Sequence, residues 1–416
     1  MGLGVDVAGP VHVTVGRDAT RGITVAQAIK LNLAELDALV VQDLLGAVPL
    51  TASGFPEDYN AKRGELHQNL VLAASESQSG AAYQQPLANI DYVLAHYHTL
   101  VKDAFAASAG GNTARAAELY GRAHVVMADT LLPAADFVDK ANTYVLNDTY
   151  DAQASQSAST FRLVLVAWLV LVVFLAVVQL AMARKFRRLV NPALALATLI
   201  TLVTGGYTLY QLDNSAEDIV AAREQAFDAV HVLARARTTV VAARQSEAHL
   251  LFDTSAANTQ AAYNDFQART GELFRVPGGG SEEASEVARS GAAPQGSGGY
   301  LATVSASADE TARDGAIRRA LVAFGDYVVS SRDMRTFQAG GDPAAAQAIF
   351  RSGIAYTELV DAIDEAQESN QASFDDFAGQ ARDATSGLGA ASAVAAGAVL
   401  VLFIVGLYQR QREYRG

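Results

Sequence analysis

Seven histidines, His12, His67, His96, His98, His124, His231 and His249, are the side chains of this 416-residue chain best suited to hold a metal or move a proton. Their spacing decides against both. None belongs to an HExxH motif, and no two stand at the i, i+4 spacing that places paired ligands on one helical face. His96 and His98 are two apart and fall on different faces, so all seven read as surface or core residues. There is no cysteine, which removes thiolate metal sites and disulfides together. The carboxylates Asp361, Asp364, Glu365, Glu368, Asp375 and Asp376 are spaced as solvated charge along a helix. Gly278-Gly279-Gly280 lacks the Lys-Ser/Thr that completes a phosphate loop, and no EF-hand loop, nucleophile elbow or dinucleotide fingerprint is present. No catalytic, cofactor-binding or metal residue is assigned, and the chain reads as a non-enzyme.

What the chain offers instead is hydropathy. Leu163 to Ala183 is uncharged, with Gln179 its one polar residue, and as a helix rising about 1.5 Å per residue it matches a hydrocarbon core roughly 30 Å thick. Arg184, Lys185, Arg187 and Arg188 follow, and then Leu189 to Leu209 is apolar again. Asn191 and Pro192 suit the cap and first turn of that second helix. Residues 161–210 are therefore a transmembrane hairpin whose basic turn, 184–188, is cytoplasmic by the positive-inside rule. A third apolar run, 388–408, is followed by Arg410, Arg412 and Arg415 in a tail, 409–416, that returns to the cytoplasm. Both long polar arms then lie outside the cell. The protein is expected in the plasma membrane as a multi-pass chain in contact with lipid.

The net charge is −13, although the two basic clusters fall in the short cytoplasmic pieces. An acidic exterior argues against nucleic acid as a partner and for a solvated surface or a basic one. Residues 1–22 are rich in Gly and Val and read as an irregular N-terminal segment with neither a signal peptide nor a span. Since nothing in them can translocate residues 23–160, a further N-terminal span is expected upstream.

Apolar residues at Ile29, Leu33, Leu36, Val40 and Leu44 define one face of a first helix over 23–45. Further helices are expected over 57–75, from about 87 to 108, and from Thr113 into the first span, with Pro133 as a kink. After the hairpin the plan repeats over 213–253, 258–275, 301–337 and 344–386. Gly110-Gly111-Asn112 aligns with Gly340-Gly341-Asp342 at a constant offset of 230, with Tyr120 facing Phe350 in the same register. The fold class is thus an all-α membrane protein: two duplicated extracytoplasmic four-helix bundles, 23–160 and 211–387, joined by the hairpin and followed by a C-terminal span. Between the second bundle's middle helices, 277–299 is Gly-, Ser-, Pro- and Glu-rich and reads as a flexible loop. Gly389, Ala393 and Gly397 have small-xxx-small spacing, which would pack spans within one chain or form a homodimer. The spans carry no charge beyond Arg162 at an edge, which disfavours a channel or transporter.

Segments such as Leu31-Asn32-Leu33-Ala34-Glu35-Leu36-Asp37-Ala38 and Ala242-Ala243-Arg244-Gln245-Ser246-Glu247-Ala248-His249-Leu250-Leu251 open the two bundles. With the two outward bundles and the basic hairpin, they make the chain resemble the GlnX-type membrane sensors of high-GC Gram-positive bacteria, over nearly its whole length. That family has four spans, and three are visible here. The resemblance implies a relay that receives amino-acid availability from an extracytoplasmic solute-binding lipoprotein and passes it to a cytoplasmic Ser/Thr kinase pathway. The expected docking sites are the outer tips, at Gly110, Gly111 and Asn112 and at Gly340, Gly341 and Asp342. The expected cytoplasmic contacts are the seven basic residues at 184–188 and 410–415. Two alternatives stand beside it: a direct small-molecule receptor with its ligand inside a bundle, and a structural envelope scaffold. The eight residues after Tyr408 are too few for a methylation region or a kinase, which weighs against the first.

Overall fold

The computed structural model describes residues 10–46, 48–76, 81–186, 192–221, 228–252, 256–307, 312–385 and 388–413. Their regular elements are helical: α1 Pro10–Gly46, α2 Glu57–Glu76, α3 Ala81–Ala109, α4 Thr113–Val126, α5 Leu132–Phe186, α6 Pro192–Ala221 and α7 Asp228–Phe252. The order continues with α8 Ala256–Leu273, α9 Ser281–Arg289, α10 Tyr300–Ser307, α11 Ala312–Ala339, α12 Pro343–Ser352, α13 Ile354–Thr385 and α14 Leu388–Glu413. The chain divides into two units, one comprising the described residues up to Gly16 together with those of Asn147–Arg223 and Ser373–Gly416, the other comprising Arg17–Leu146 and Glu224–Ala372.

The first unit holds three helices long and apolar enough to cross a membrane: Phe161–Ala181, Pro192–Gln211 and Gly389–Gly406. Most of their surface is exposed apolar side chain, which a lipid environment covers. Where they meet, Leu175, Ala197 and Val399 form a small core, and the Phe174 ring lies tilted against that of Phe403, 5.8 Å between centroids. Buried polar atoms are satisfied there, as a hydrocarbon surrounding demands. Gln179 Nε2 donates to Leu194 O at 3.0 Å and Thr198 Oγ1 at 2.7 Å, and Trp168 Nε1 donates to Thr201 O at 2.9 Å. A Cβ on Gly205 would sit 2.0 Å from the Trp168 ring, so that glycine is the notch into which the indole fits. Gly389, Ala393 and Gly397 do not serve in this way. They are exposed, and neither glycine has a neighbour within 4 Å of a notional Cβ, so the small-residue spacing does not pack the spans within this chain.

In the second unit, α1, α2, α3 and the α4–α5 rod surround one core, with Leu33, Leu36, Val40, Tyr59, Tyr97, Leu131 and their neighbours fully enclosed. A second core is built from α7–α11 and α13 around Leu233, Phe266, Phe274, Phe324, Tyr327 and Ile363. The two helical halves are not separate bundles. Ala248, Leu250, Met334, Ala346 and Phe350 of the second half complete the core of the first. Gln27 meets His231 and Asp37 meets Gln245, so α1 and α7 run side by side in the same direction. Ion pairs stitch the seam: Glu35 binds Lys62 of its own half at 2.8 Å and Arg237 of the other at 3.3 Å, and Arg237 reaches Asp364 at 3.1 Å.

Several expectations are corrected. The segment 1–22 is not irregular throughout, since α1 begins at Pro10; proline at the first helical position sacrifices no hydrogen bond, and Val and Thr weaken a helix by only tenths of a kcal/mol. Residues 1–9 lie outside the described residues. The helix through Pro133 is preceded by a π-turn, Met127–Leu131, closed by the Leu132 amide donating to Met127 O. The expected helix over 344–386 is interrupted: α12 ends at Gly353, left-handed at φ 61°, and α13 restarts at Ile354.

The largest correction is the segment 277–299, which is ordered. Arg275 and Gly298 exchange both backbone hydrogen bonds at 2.9 Å, and α9 carries Glu282 and Glu283 in its first turn, where the helix dipole favours them. Ala284, Ser285 and Ala288 are buried against α11. Gly325 of α11 permits the approach, because a Cβ there would lie 2.6 Å from Ser285 O. Arg289 closes the contact on Asp326 at 2.8 Å. Small side chains pack closely without registering as hydrophobic, which is why composition alone suggests a loop.

Candidate functional site

The expected docking tips are built alike, residue for residue. Asn112 caps α4 by accepting from Arg115 N at 3.1 Å, and Asp342 caps α12 by accepting from Ala345 N at 3.0 Å. Before each cap a left-handed glycine turns the chain, Gly111 at φ 77° and Gly341 at φ 83°. Asn112 N donates to Ala107 O and Asp342 N to Phe337 O, both at 2.9 Å, so the backbone bonds match at the same offset of 230. All six tip residues, Gly110, Gly111, Asn112, Gly340, Gly341 and Asp342, are exposed, while Ala116 and Ala346, then Tyr120 and Phe350, are buried one and two turns below. The two tips belong to one end of the unit: Arg351 of α12 donates to Leu45 O, in the last turn of α1, at 2.7 Å.

Just inside that end lies Asp43, 5% exposed, with Oδ2 unpartnered. Burial, aided by the Asp58 carboxylate, pushes its pKa from 3.8 up to about 7. The folded state therefore retains a proton that the unfolded chain loses, and stability falls as pH rises from about 4 to about 7 and stays reduced above. Asp43→Asn is expected to stabilise the protein at pH 8, by at most about 4 kcal/mol, and to have little effect at pH 4. Thermal unfolding of the two proteins across that range checks it.

Deeper, at the seam, Asp37 of α1 is 1% exposed and is met from three directions. Tyr97 Oη of α3 donates to Oδ1 at 2.7 Å, His124 Nδ1 of α4 lies 2.9 Å from Oδ2, and the Gln245 amide of α7 donates to Oδ2 as well. Gln245 Nε2 is also 3.1 Å from Tyr120 Oη and 3.0 Å from His124 Nδ1. Burial works to lower the pKa of His124, but the hydrogen bond and charge of Asp37, with Asp265 and Asp129 beyond, outweigh it and raise the value. His98 and His231 behave oppositely: burial first, then Arg63 for one and Arg235 and Lys30 for the other, lower both to about 4. His98 accordingly serves as a neutral partner of Tyr59 Oη at 2.6 Å.

A second buried cluster sits at the break in the second half. Arg244 of α7 donates from Nη1 to Glu247 Oε2 at 3.1 Å and from Nη2 to Phe350 O, while its guanidinium lies 3.7 Å over the Phe350 ring and 5.3 Å from that of Tyr356. It thus holds both sides of Gly353. Glu247 is 1% exposed, and burial followed by the charge of Glu247 drives the Tyr327 hydroxyl well above its ordinary pKa. Arg244, Glu247, Tyr327, Ser330 and Gly353 line a cavity of about 10 Å³, room for roughly one water.

Of the expected cytoplasmic contacts, Arg184 is exposed at the end of α5. Lys185, Arg410 and Arg412 are described only as helical backbone, and Arg187, Arg188 and Arg415 lie outside the described residues. Asp37, Gln245 and Arg244 lie in the two segments that carry the family resemblance, yet their long-range pairing leaves no mark on local spacing.

No curated protein and no solved structure matches the chain. A family match is found over one part. Residues 12–151, about a third of the length and including Asp37, Tyr97, His124 and the first tip, match the model described as the actinobacterial sensor domain, and over that stretch the chain is similar to sensor proteins of Actinobacteria.

Proposed function

We propose that the chain is a non-enzymatic membrane sensor that takes an extracytoplasmic nutrient signal, amino-acid availability, from a solute-binding lipoprotein and relays it to a cytoplasmic partner of a Ser/Thr kinase pathway. The observation that carries this reading is the sensor-domain match over residues 12–151, in a chain with three helices fit to span a membrane. In this reading the second unit stands outside, the basic residues at 184–188 and 410–415 face the cytoplasm by the positive-inside rule, and the paired tips dock the lipoprotein. Residues 132–186 form one uninterrupted helix that contains the first span, whereas α13 begins at the Gly353 break.

The test is photo-crosslinking from a reactive residue placed at position 112 or 342 of the full chain in its native membrane, with and without added amino acids. A solute-binding lipoprotein captured in an amino-acid-dependent manner is the expected product. Asn112→Ala, which removes a cap worth about 1 kcal/mol, and Gly111→Ala, strained at φ 77°, should both weaken capture from position 342 or from neighbouring α4. Lipoprotein absent at both positions in both conditions would sink the docking reading; calorimetric binding of an amino acid to the protein alone would replace it with direct reception.

A further inference from the structure

We propose that His124 is a proton-operated latch between the two helical halves, closed when it donates to Asp37 together with Gln245 and loosened when its Nδ1 becomes an acceptor that competes for the Gln245 amide. The geometry makes the two states exclusive. His124 Nδ1 is 2.9 Å from Asp37 Oδ2 and 3.0 Å from Gln245 Nε2, and one ring nitrogen cannot donate to the first while accepting from the second. With a proton on Nδ1, Asp37 receives Tyr97, His124 and Gln245, three donors from three helices, and its buried charge is fully satisfied. Gln245 then spends its second amide proton on Tyr120, so one side chain of the second half is bound to α1 and α4 of the first. Opening requires the proton to leave from Nδ1, giving the neutral Nε2–H tautomer; Asp37 then loses a donor in a site that is 1% exposed, and the amide is drawn toward the ring.

The surroundings favour the closed form near neutrality. The charged and titratable groups around His124 are Asp37 from α1, Tyr97 from α3, Tyr120 and Asp129 on its own segment, His249 from α7 with its ring 5.0 Å away, and Asp265 from α8. Three carboxylates outweigh the burial that opposes protonation. The histidine pKa in the folded protein lies above its ordinary 6.5, so the stabilisation is complete below about pH 6.5 and is lost as pH climbs through the raised value. Acidification outside the membrane unit would tighten the seam and alkalinisation would ease it.

The test uses the full chain in lipid nanodiscs, in an Asp43→Asn background so that Asp43 does not titrate in the same window. The chain has no native cysteine, so spin labels at Tyr92→Cys on α3 and Arg332→Cys on α11, both exposed, report the separation of the halves without background. Between pH 6 and pH 9 the distance distribution is expected to broaden or lengthen and the unfolding midpoint to fall. His124→Asn should remove the pH dependence of both, and Gln245→Leu should remove that of the distance. An unchanged distance in the parent across this range overturns the latch, as does a His124→Asn variant that keeps the parent's pH slope. The distance measurement on the parent needs no change at His124 and decides the matter even if that variant folds poorly.

Discussion

Arg244→Ala is expected to lower stability by about 3–5 kcal/mol, the largest single effect in this chain. The guanidinium is the ion partner of Glu247, a carboxylate that is 1% exposed, and its removal leaves that charge in the core between α7, α11 and α12. The same change strips the contact over Phe350 and the hydrogen bond to its carbonyl, which together hold the end of α12 in place. Arg244→Lys should recover little, since an ammonium neither lies flat on the ring nor forks to carboxylate and carbonyl at once. The double change Arg244→Met with Glu247→Leu, by contrast, removes both charges and should stand close to the parent protein. Thermal and denaturant unfolding of the four proteins in detergent separates these outcomes. A loss below about 0.5 kcal/mol for Arg244→Ala, the level of an ordinary surface change, would mean that Glu247 is solvated.

Gly299→Ala is expected to cost about 3 kcal/mol, and it tests whether 277–299 is structure or linker. Gly299 has φ 93°, where a side chain is strained, and a Cβ there would lie 2.7 Å from Leu273 O and 2.8 Å from Glu272 O. Those are backbone atoms at the end of α8, so relief requires the helix end to move. Gly278→Ala is the matched control, because at φ 72° it meets no atom within 4 Å and should cost about 1 kcal/mol from strain alone. A linker would tolerate both equally. Limited proteolysis gives the same answer by another route: cleavage at Arg289, which is paired with Asp326, should be slow in the parent and fast in Gly299→Ala.

These two sites show where the sequence is legible and where it is not. The spans could be read because lipid imposes a length and a hydropathy that a single helix must satisfy by itself. The tips could be read because Gly-Gly-Asn and Gly-Gly-Asp recur at a constant offset of 230, and both Asn112 and Asp342 are found accepting from the amide three residues on. Local signals fail once the partner is distant. Asp37 and Gln245 are 208 positions apart, and nothing in an alanine-rich helix announces which face will meet a second half. The histidines illustrate the same point: their spacing is silent, yet burial beside Arg63 keeps His98 neutral, while the hydrogen bond and charge of Asp37 overcome burial and favour the charged form of His124. The segment 277–299 fails for another reason, since Ala284, Ser285 and Ala288 carry too little apolar surface to stand out but fit against a glycine that lets the helices touch.

The matched tips have one further consequence. Because Gly110-Gly111-Asn112 and Gly340-Gly341-Asp342 are parts of a single chain, with the same hydrogen-bond pattern and Arg351 tying their supports together, the pair exists without any association step. Two identical subunits would present such a pair only above their dissociation constant, and the fraction paired would fluctuate with expression level. Here the second tip is always at hand, at an effective concentration fixed by the fold. On the docking reading proposed above, a cell with a handful of copies and a cell with thousands would field the same bivalent surface, and the dose–response of the docked partner would not drift with protein abundance.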